Sequence, residues 1–166
     1  MLAERAPLTS DVTVAEEDPL SADAIALSDA MSEIVNRIYP EDAKNGIIPT
    51  TSEELARHGV LVIARVNSKA AACGALMAHA PVDGLGALEV KRMLVLPAYR
   101  GRGLSRLVLN SLERIARQRH TQKLVLMCGP RQPEALRLYE TNGFDRRNAY
   151  GKHTEHPLSI FFEKTL

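Results

Sequence analysis

No tryptophan occurs in the 166 residues, and only four tyrosines and three phenylalanines supply aromatic rings. So few stacking surfaces argue against a module that reads single-stranded RNA. The arginines between 100 and 119, which an RNA module would use, fall largely on the solvated face of a helix. A surplus of either charge is missing as well. The formal net charge is +1, so any anion recognition must be local rather than a property of the whole surface. No apolar run approaches the ~20 residues that span a bilayer, and the first fifteen residues lack the apolar core of a signal peptide. A cytoplasmic location is the resulting expectation. Cysteine is scarce: Cys73 and Cys128 each sit inside an apolar stretch and read as buried free thiols. Neither Cys nor further acid stands at ligand spacing around His153 and His156, so no metal is expected. No Gly-Lys-Ser/Thr occurs, which removes the P-loop.

What is present is the profile of an ordinary globular chain, 45% apolar and 25% charged. Its length suits one domain over 1–166, with residues 1–8 a loose end. The patterning predicts a strand over 10–15 and a helix from the Ser21 cap to about Arg37. An irregular loop carries Pro40 and Pro49, and a short helix follows Thr51 or Ser52 up to Gly59. Apolar strands then run over 60–66, 72–80 and 87–96, joined by hairpin turns at NSKA and VDGLG. A helix from Leu104 to about Arg119 places Leu104, Leu107, Val108, Leu112, Ile115 and Ala116 on one face. A buried strand at 123–128, a helix capped at Gln132 with Pro133 at its first position, and a last strand in PLSIFFEKT complete the order. The fold class is mixed α/β: an antiparallel meander, then a β-α-β crossover.

Between the third meander strand and the long helix lies PAYRGRGLSR (97–106). The first amides of a helix lack intrahelical partners and point outward at the positive end of its dipole. Bare backbone at Gly101 and Gly103 lets an anion reach those amides, while Arg100, Arg102 and Arg106 add charge. Phosphate, and pyrophosphate above all, is the natural guest. The dinucleotide fingerprint GxGxxG is excluded, because Arg106 stands where its third glycine belongs.

The string LPAYRGRGLSRLVLNSLERIA resembles motif A of the GNAT superfamily of acetyl-CoA-dependent N-acetyltransferases. Its signature [QR]-x-x-G-x-[GA] is met by Arg100-Gly101-Arg102-Gly103-Leu104-Ser105, with Ser105 where Gly or Ala is usual. About 30 residues on, QPEALRLYETNGF is similar to the family's next motif, with Gln132 in place of the common Asn. The resemblance covers about Val60 to Phe162 and implies a mostly antiparallel sheet of six to seven strands, splayed between its fourth and fifth, with about four helices. It also implies that the amides of Gly101 to Arg106 hold the pyrophosphate of coenzyme A. Met93, Leu94 and Val95 would pair with the pantetheine arm, and an amide near Val95 would face the thioester oxygen. Gln132 would line the arm, and Tyr139 matches the tyrosine that protonates the departing thiolate. The amine acceptor must lose a proton. Glu89 is the candidate base, on the strand whose alternation puts Glu89, Lys91 and Met93 on one face and Val90, Arg92 and Leu94 on the other. Cys128 as an acetyl carrier is the minor alternative, since family members generally transfer directly.

The implied function is transfer of acetyl from acetyl-CoA to a primary amine of a small molecule or peptide, without nucleic acid or membrane and with a homodimer possible. The alternative is a non-catalytic acyl-CoA-binding regulatory module. Tyr39, Glu53, Glu54, Tyr150 and His153 are the residues from which acceptor contacts would come.

Overall fold

A computed structural model describes residues 11–44, 49–151 and 159–166. The elements are β1 (Val12–Glu17), α1 (Ala22–Ile38), α2 (Pro40–Lys44), α3 (Ser52–His58), β2 (Gly59–Val66), β3 (Lys69–Val82), β4 (Leu85–Val95), α4 (Leu104–Gln118), β5 (Lys123–Cys128), α5 (Pro133–Thr141), β6 (Asp145–Arg147) and β7 (Ile160–Thr165). The predicted order holds, with two additions: α2, a single turn opened by Pro40, and β6. Both are too short for a period to show in sequence. Residues 1–8 and the His153/His156 pair lie outside the described residues.

The predicted caps on α1 and α3 are formed, whereas Gln132 makes no side-chain cap on α5. Ser21 Oγ accepts from the Ala24 amide at 3.2 Å, and Thr51 with Glu54 makes a reciprocal capping box on α3. The meander turns are Asn67-Ser68 and Asp83-Gly84, all four at positive φ, as two-residue hairpins demand. The seven strands lie in the order β1-β2-β3-β4-β5-β7-β6. All pairs are antiparallel except β4 with β5. That parallel pair has three rungs, Ala87–Lys123, Leu88–Leu124 and Glu89–Val125. Beyond Glu89 the two strands continue to Val95 and Cys128 without pairing, so the sheet opens as a V.

One face of the sheet carries α4 and α5. Val62, Ala64, Leu76, Val90, Leu124, Leu126 and Phe162 pack there against Leu104, Val108, Leu109, Leu112 and Tyr139. The other face carries α1 and α3 over Leu61, Ile63, Cys73, Ala75 and Leu94. On α4 the buried stripe includes Leu109 rather than the predicted Leu107, which is 38% exposed. The inward arc is centred on Leu112 and Val108, which brings position 109 under the sheet and turns 107 outward.

Candidate active site: a slot between splayed strands

A cavity of about 600 Å³ occupies the mouth of the V. Met93, Leu94 and Val95 form one wall, and Arg100, Gly101, Gly103, Leu104 and Ser105 line the end beneath α4. Gln132, Ala135, Leu138 and Tyr139 of α5 form the opposite wall, and Met31, Ile34, Val35 and Ile38 of α1 close the far side. The structure thus gathers ten of the predicted site residues around one space.

The phosphate end is built as the loop sequence implies. Gly101 and Gly103 have φ of 76° and 77°, the left-handed region that costs other residues ~1–2 kcal/mol. A Cβ at either would meet nothing within 4 Å, so the space above the loop is open to a guest. Gly103 occupies the N-cap of α4 with no side chain to cap it, leaving the first-turn amides of Leu104, Ser105 and Arg106 to an external acceptor. A second difference from expectation appears in the arginines. Arg100 lines the slot and its Nε donates to Val95 O at 3.4 Å, whereas Arg102 lies 5.5 Å over the Tyr99 ring. Arg102 and Arg106 are exposed and outside the lining, though the Arg106 backbone belongs to the open first turn of α4. Gln132 sits at the N-cap position of α5, makes no side-chain capping bond and lines the slot.

Tyr139 is 5% exposed, with its ring 5.6 Å from Phe144 and 5.8 Å from Phe162. Among the described residues no hydrogen-bond partner meets its hydroxyl. Burial, and secondarily the neighbouring Cys128, raise its pKa, so the phenol keeps its proton. Cys128 is itself pushed up to about 11 by burial, which leaves it a poor nucleophile near neutral pH.

Glu89 corrects the alternation reading. A bulge interrupts β4 at Arg92, whose φ is 55°, and the register with β3 shifts between Cys73 and Ala75. The extra residue returns Met93 to the α4 face beside Val90 and Val95, and turns Leu94 toward α1. Glu89 and Met93 therefore point to opposite faces. Glu89 occupies the last parallel rung, at the vertex of the V, and does not line the slot cavity itself. It is 5% exposed; Tyr150 Oη donates to its Oε1 at 2.8 Å, and Lys91 Nζ lies 3.6 Å from its Oε2. The bulge is braced from outside by the Arg92 guanidinium, which donates to Thr50 O at 2.7 Å and Ser52 Oγ at 3.1 Å.

The α1 wall was not foreseen as part of the site. Met31, Ile34, Val35 and Ile38 follow an i, i+3, i+4, i+7 spacing that sequence reasoning assigns to the core, yet all four are only half-buried. Tyr39 pins this wall to the end of β5: it packs on Gly129 and accepts the Arg131 amide at 2.9 Å. A Cβ at position 129 would lie 2.0 Å from Tyr39 Oη, so only glycine fits. Glu53 and Glu54, named above for the acceptor, stand on the first turn of α3, where Glu54 closes the capping box.

Comparison with known proteins agrees with this geometry. The profile of the Acetyltransferase (GNAT) family matches residues 28–144. An "IAA acetyltransferase" of Azospirillum brasilense is 32% identical over 157 residues, which is 94% of this chain and 99% of that protein. Among solved structures, a Klebsiella pneumoniae protein described as a candidate acyl-CoA N-acyltransferase is 29% identical, with a TM-score of 0.75 over 96% of this chain and 99% of that one. A GNAT family acetyltransferase of Elizabethkingia anophelis, solved with acetyl-CoA bound, shares the fold at 18% identity and a TM-score of 0.62, covering 93% and 98%. With the family profile spanning the V-shaped slot from α1 to the end of α5, the chain belongs to the acetyltransferase (GNAT) family and is an acyltransferase of that kind.

Proposed function

We propose that this protein transfers the acetyl group of acetyl-CoA to a primary amine of a small molecule or peptide, by direct attack with both substrates bound. The observation that carries the reading is one slot joining an uncapped helix terminus at Gly101–Arg106 to a protonated phenol at Tyr139, unpartnered among the described residues. Acetyl-CoA supplies the activated acyl group and the thiol leaving group. The residues present fit it: open space over two left-handed glycines suits a diphosphate, and the unpaired edge of β4 at Met93–Val95 offers backbone groups to the amides of an extended arm.

In this reading the free amides at the start of α4 and the Arg100 guanidinium hold the pyrophosphate. Gln132 and Leu138 enclose the arm from α5, and a backbone amide near Val95 donates to the acyl oxygen. Tyr139 gives its proton to the departing sulfur. Glu89, on the α1 face at the vertex, takes the proton of the incoming ammonium, directly or through water. The half-buried apolar stripe of α1 keeps bulk water from the acyl end.

Release of free CoA thiol over a panel of amines tests the reading, with calorimetry of acetyl-CoA as the prior step. Turnover with at least one primary amine is expected. Absence of acetyl-CoA binding sinks it.

A further inference from the structure

The strands of the V part beyond Glu89, and α1 spans the opening on one face of the sheet. Its Met31 and Ile34 share a cluster with Leu94, on β4, and Leu96, just past it. At the other end Tyr39 packs on Gly129, just past β5, and accepts the Arg131 amide. The helix is therefore fixed to both arms of the V. Four side chains of this roof line the cavity: Met31, Ile34, Val35 and Ile38, all apolar and all half-buried. At 1.5 Å per residue they make a stripe about 10 Å long. Met93 and Leu138 face the same space from β4 and α5. The two arginines nearest the stripe are turned elsewhere. The Arg131 guanidinium donates to Ile38 O at 2.9 Å and pairs with Glu41 at 2.6 Å, and the Arg37 side chain is 79% exposed beside Glu33.

We propose that this stripe receives the acyl chain of the donor, so that the enzyme binds and transfers propionyl and butyryl groups as well as acetyl. The proposal rests on the reading of the slot as the seat of a CoA thioester. In that reading the sulfur lies by Tyr139, which belongs to the α4–α5 face. The acyl group, across the carbon–sulfur bond, then points to the opposite face, where α1 stands. An acetyl group brings one methyl, which cannot cover four side chains spread over such a length. Each added methylene that covers them strengthens binding about fourfold. The stripe carries no side chain able to pair a charged end, so a succinyl donor would bury its carboxylate at a cost. The step keeps its form. The amine nitrogen bonds the acyl carbon, the carbon–sulfur bond breaks with its electron pair on sulfur, and the thiolate takes the Tyr139 proton. The nitrogen's proton goes to the base and on to solvent, from which Tyr139 is reprotonated. The products are the longer amide and free CoA.

Calorimetry of the full-length protein with acetyl-, propionyl- and butyryl-CoA reads the stripe directly. Affinity should rise about fourfold for each added methylene, and succinyl-CoA should bind no tighter than acetyl-CoA. With the panel amine that turns over fastest, mass spectrometry should find the propionylated and butyrylated amides. Val35→Thr keeps the shape of the side chain and sets a hydroxyl in the stripe, so the butyryl-to-acetyl affinity ratio should fall about threefold or more. Butyryl-CoA binding no tighter than acetyl-CoA overturns the proposal, and so does an unchanged ratio in Val35→Thr. Tight binding of butyryl-CoA without a butyrylated product overturns it as well. Should the variant not fold, the wild-type series decides alone. If no thioester binds, the reading of the slot fails and the proposal fails with it. If acetyl-CoA binds and turns over while longer chains gain nothing, the proposal alone fails.

Discussion

Replacing Tyr139 with phenylalanine separates chemistry from architecture, because only the chemistry depends on the hydroxyl. The ring packs between Phe144 and Phe162 at 5.6 and 5.8 Å, and phenylalanine keeps both contacts. The hydroxyl has no hydrogen-bond partner among the described residues and Tyr139 lines the slot, so its removal breaks no bond within the fold. Stability should therefore stay within about 1 kcal/mol of wild type, or about 2–4 °C in Tm for a chain this size. The chemical consequence is much larger. Losing a positioned general acid costs about 10²–10⁴ in rate, which is about 2.7–5.4 kcal/mol of barrier at 1.36 kcal/mol per tenfold. Thiol release read with a disulfide reagent gives kcat cleanly, since both enzyme cysteines are buried. The expected result is kcat lower by at least a hundredfold, acetyl-CoA Kd within about threefold, and Tm within about 2–4 °C of wild type. Because burial raises the phenol above its ordinary pKa of about 10, the wild-type kcat should show no alkaline limb from this residue below that pH. A kcat within about threefold of wild type would refute the assignment, and so would an alkaline limb near pH 8 that vanishes in the variant.

Gly103→Ala should destabilise the protein by about 1–2 kcal/mol through backbone strain alone, since its Cβ meets nothing, and weaken acetyl-CoA binding by calorimetry; Gly103→Asn should cost less, because asparagine tolerates the left-handed region. Gly129→Ala drives a methyl against Tyr39 and should lower stability by about 1–3 kcal/mol in urea titration, an effect that Tyr39→Ala in the same chain partly relieves. Cys128→Ser should retain activity within about fivefold, and iodoacetamide at pH 8 should modify neither thiol at the rate of a free cysteine, because burial pushes Cys128 up to about 11 and Cys73 up to about 12. Both folded-state values are raised. The thiols therefore contribute stability that is fully present below about pH 8.5, where unfolded cysteine ionises, and is lost as pH rises from there toward about 11 and 12; denaturant midpoints between pH 8 and 10.5 check the sign.

Local chemistry made a large part of this protein readable in one dimension. The Ser21 and Thr51 caps, the two-residue hairpin turns, the amphipathic period of α4 and the glycine–arginine turn at its start all involve residues within a few positions of each other. Their energetics are settled by neighbours along the chain, so the sequence by itself determined the element order, the meander and the open helix terminus after Gly103. What required the tertiary structure was everything set by contacts between distant segments. The bulge at Arg92 reverses which face Met93 and Leu94 occupy, and Thr50 and Ser52 brace it from about 40 positions away. The stripe Met31, Ile34, Val35 and Ile38 has the period of a core face, and only packing shows that it borders a slot. Arg102 lay inside the signature and stacks on Tyr99 instead of entering the cavity. Glu89 was visible as an acid on a strand, but the hydrogen bond that orients it comes from Tyr150, in a stretch whose sequence carries no motif. Periodicity tells a side chain which way to turn relative to its own backbone. Only the closed sheet decides what stands opposite.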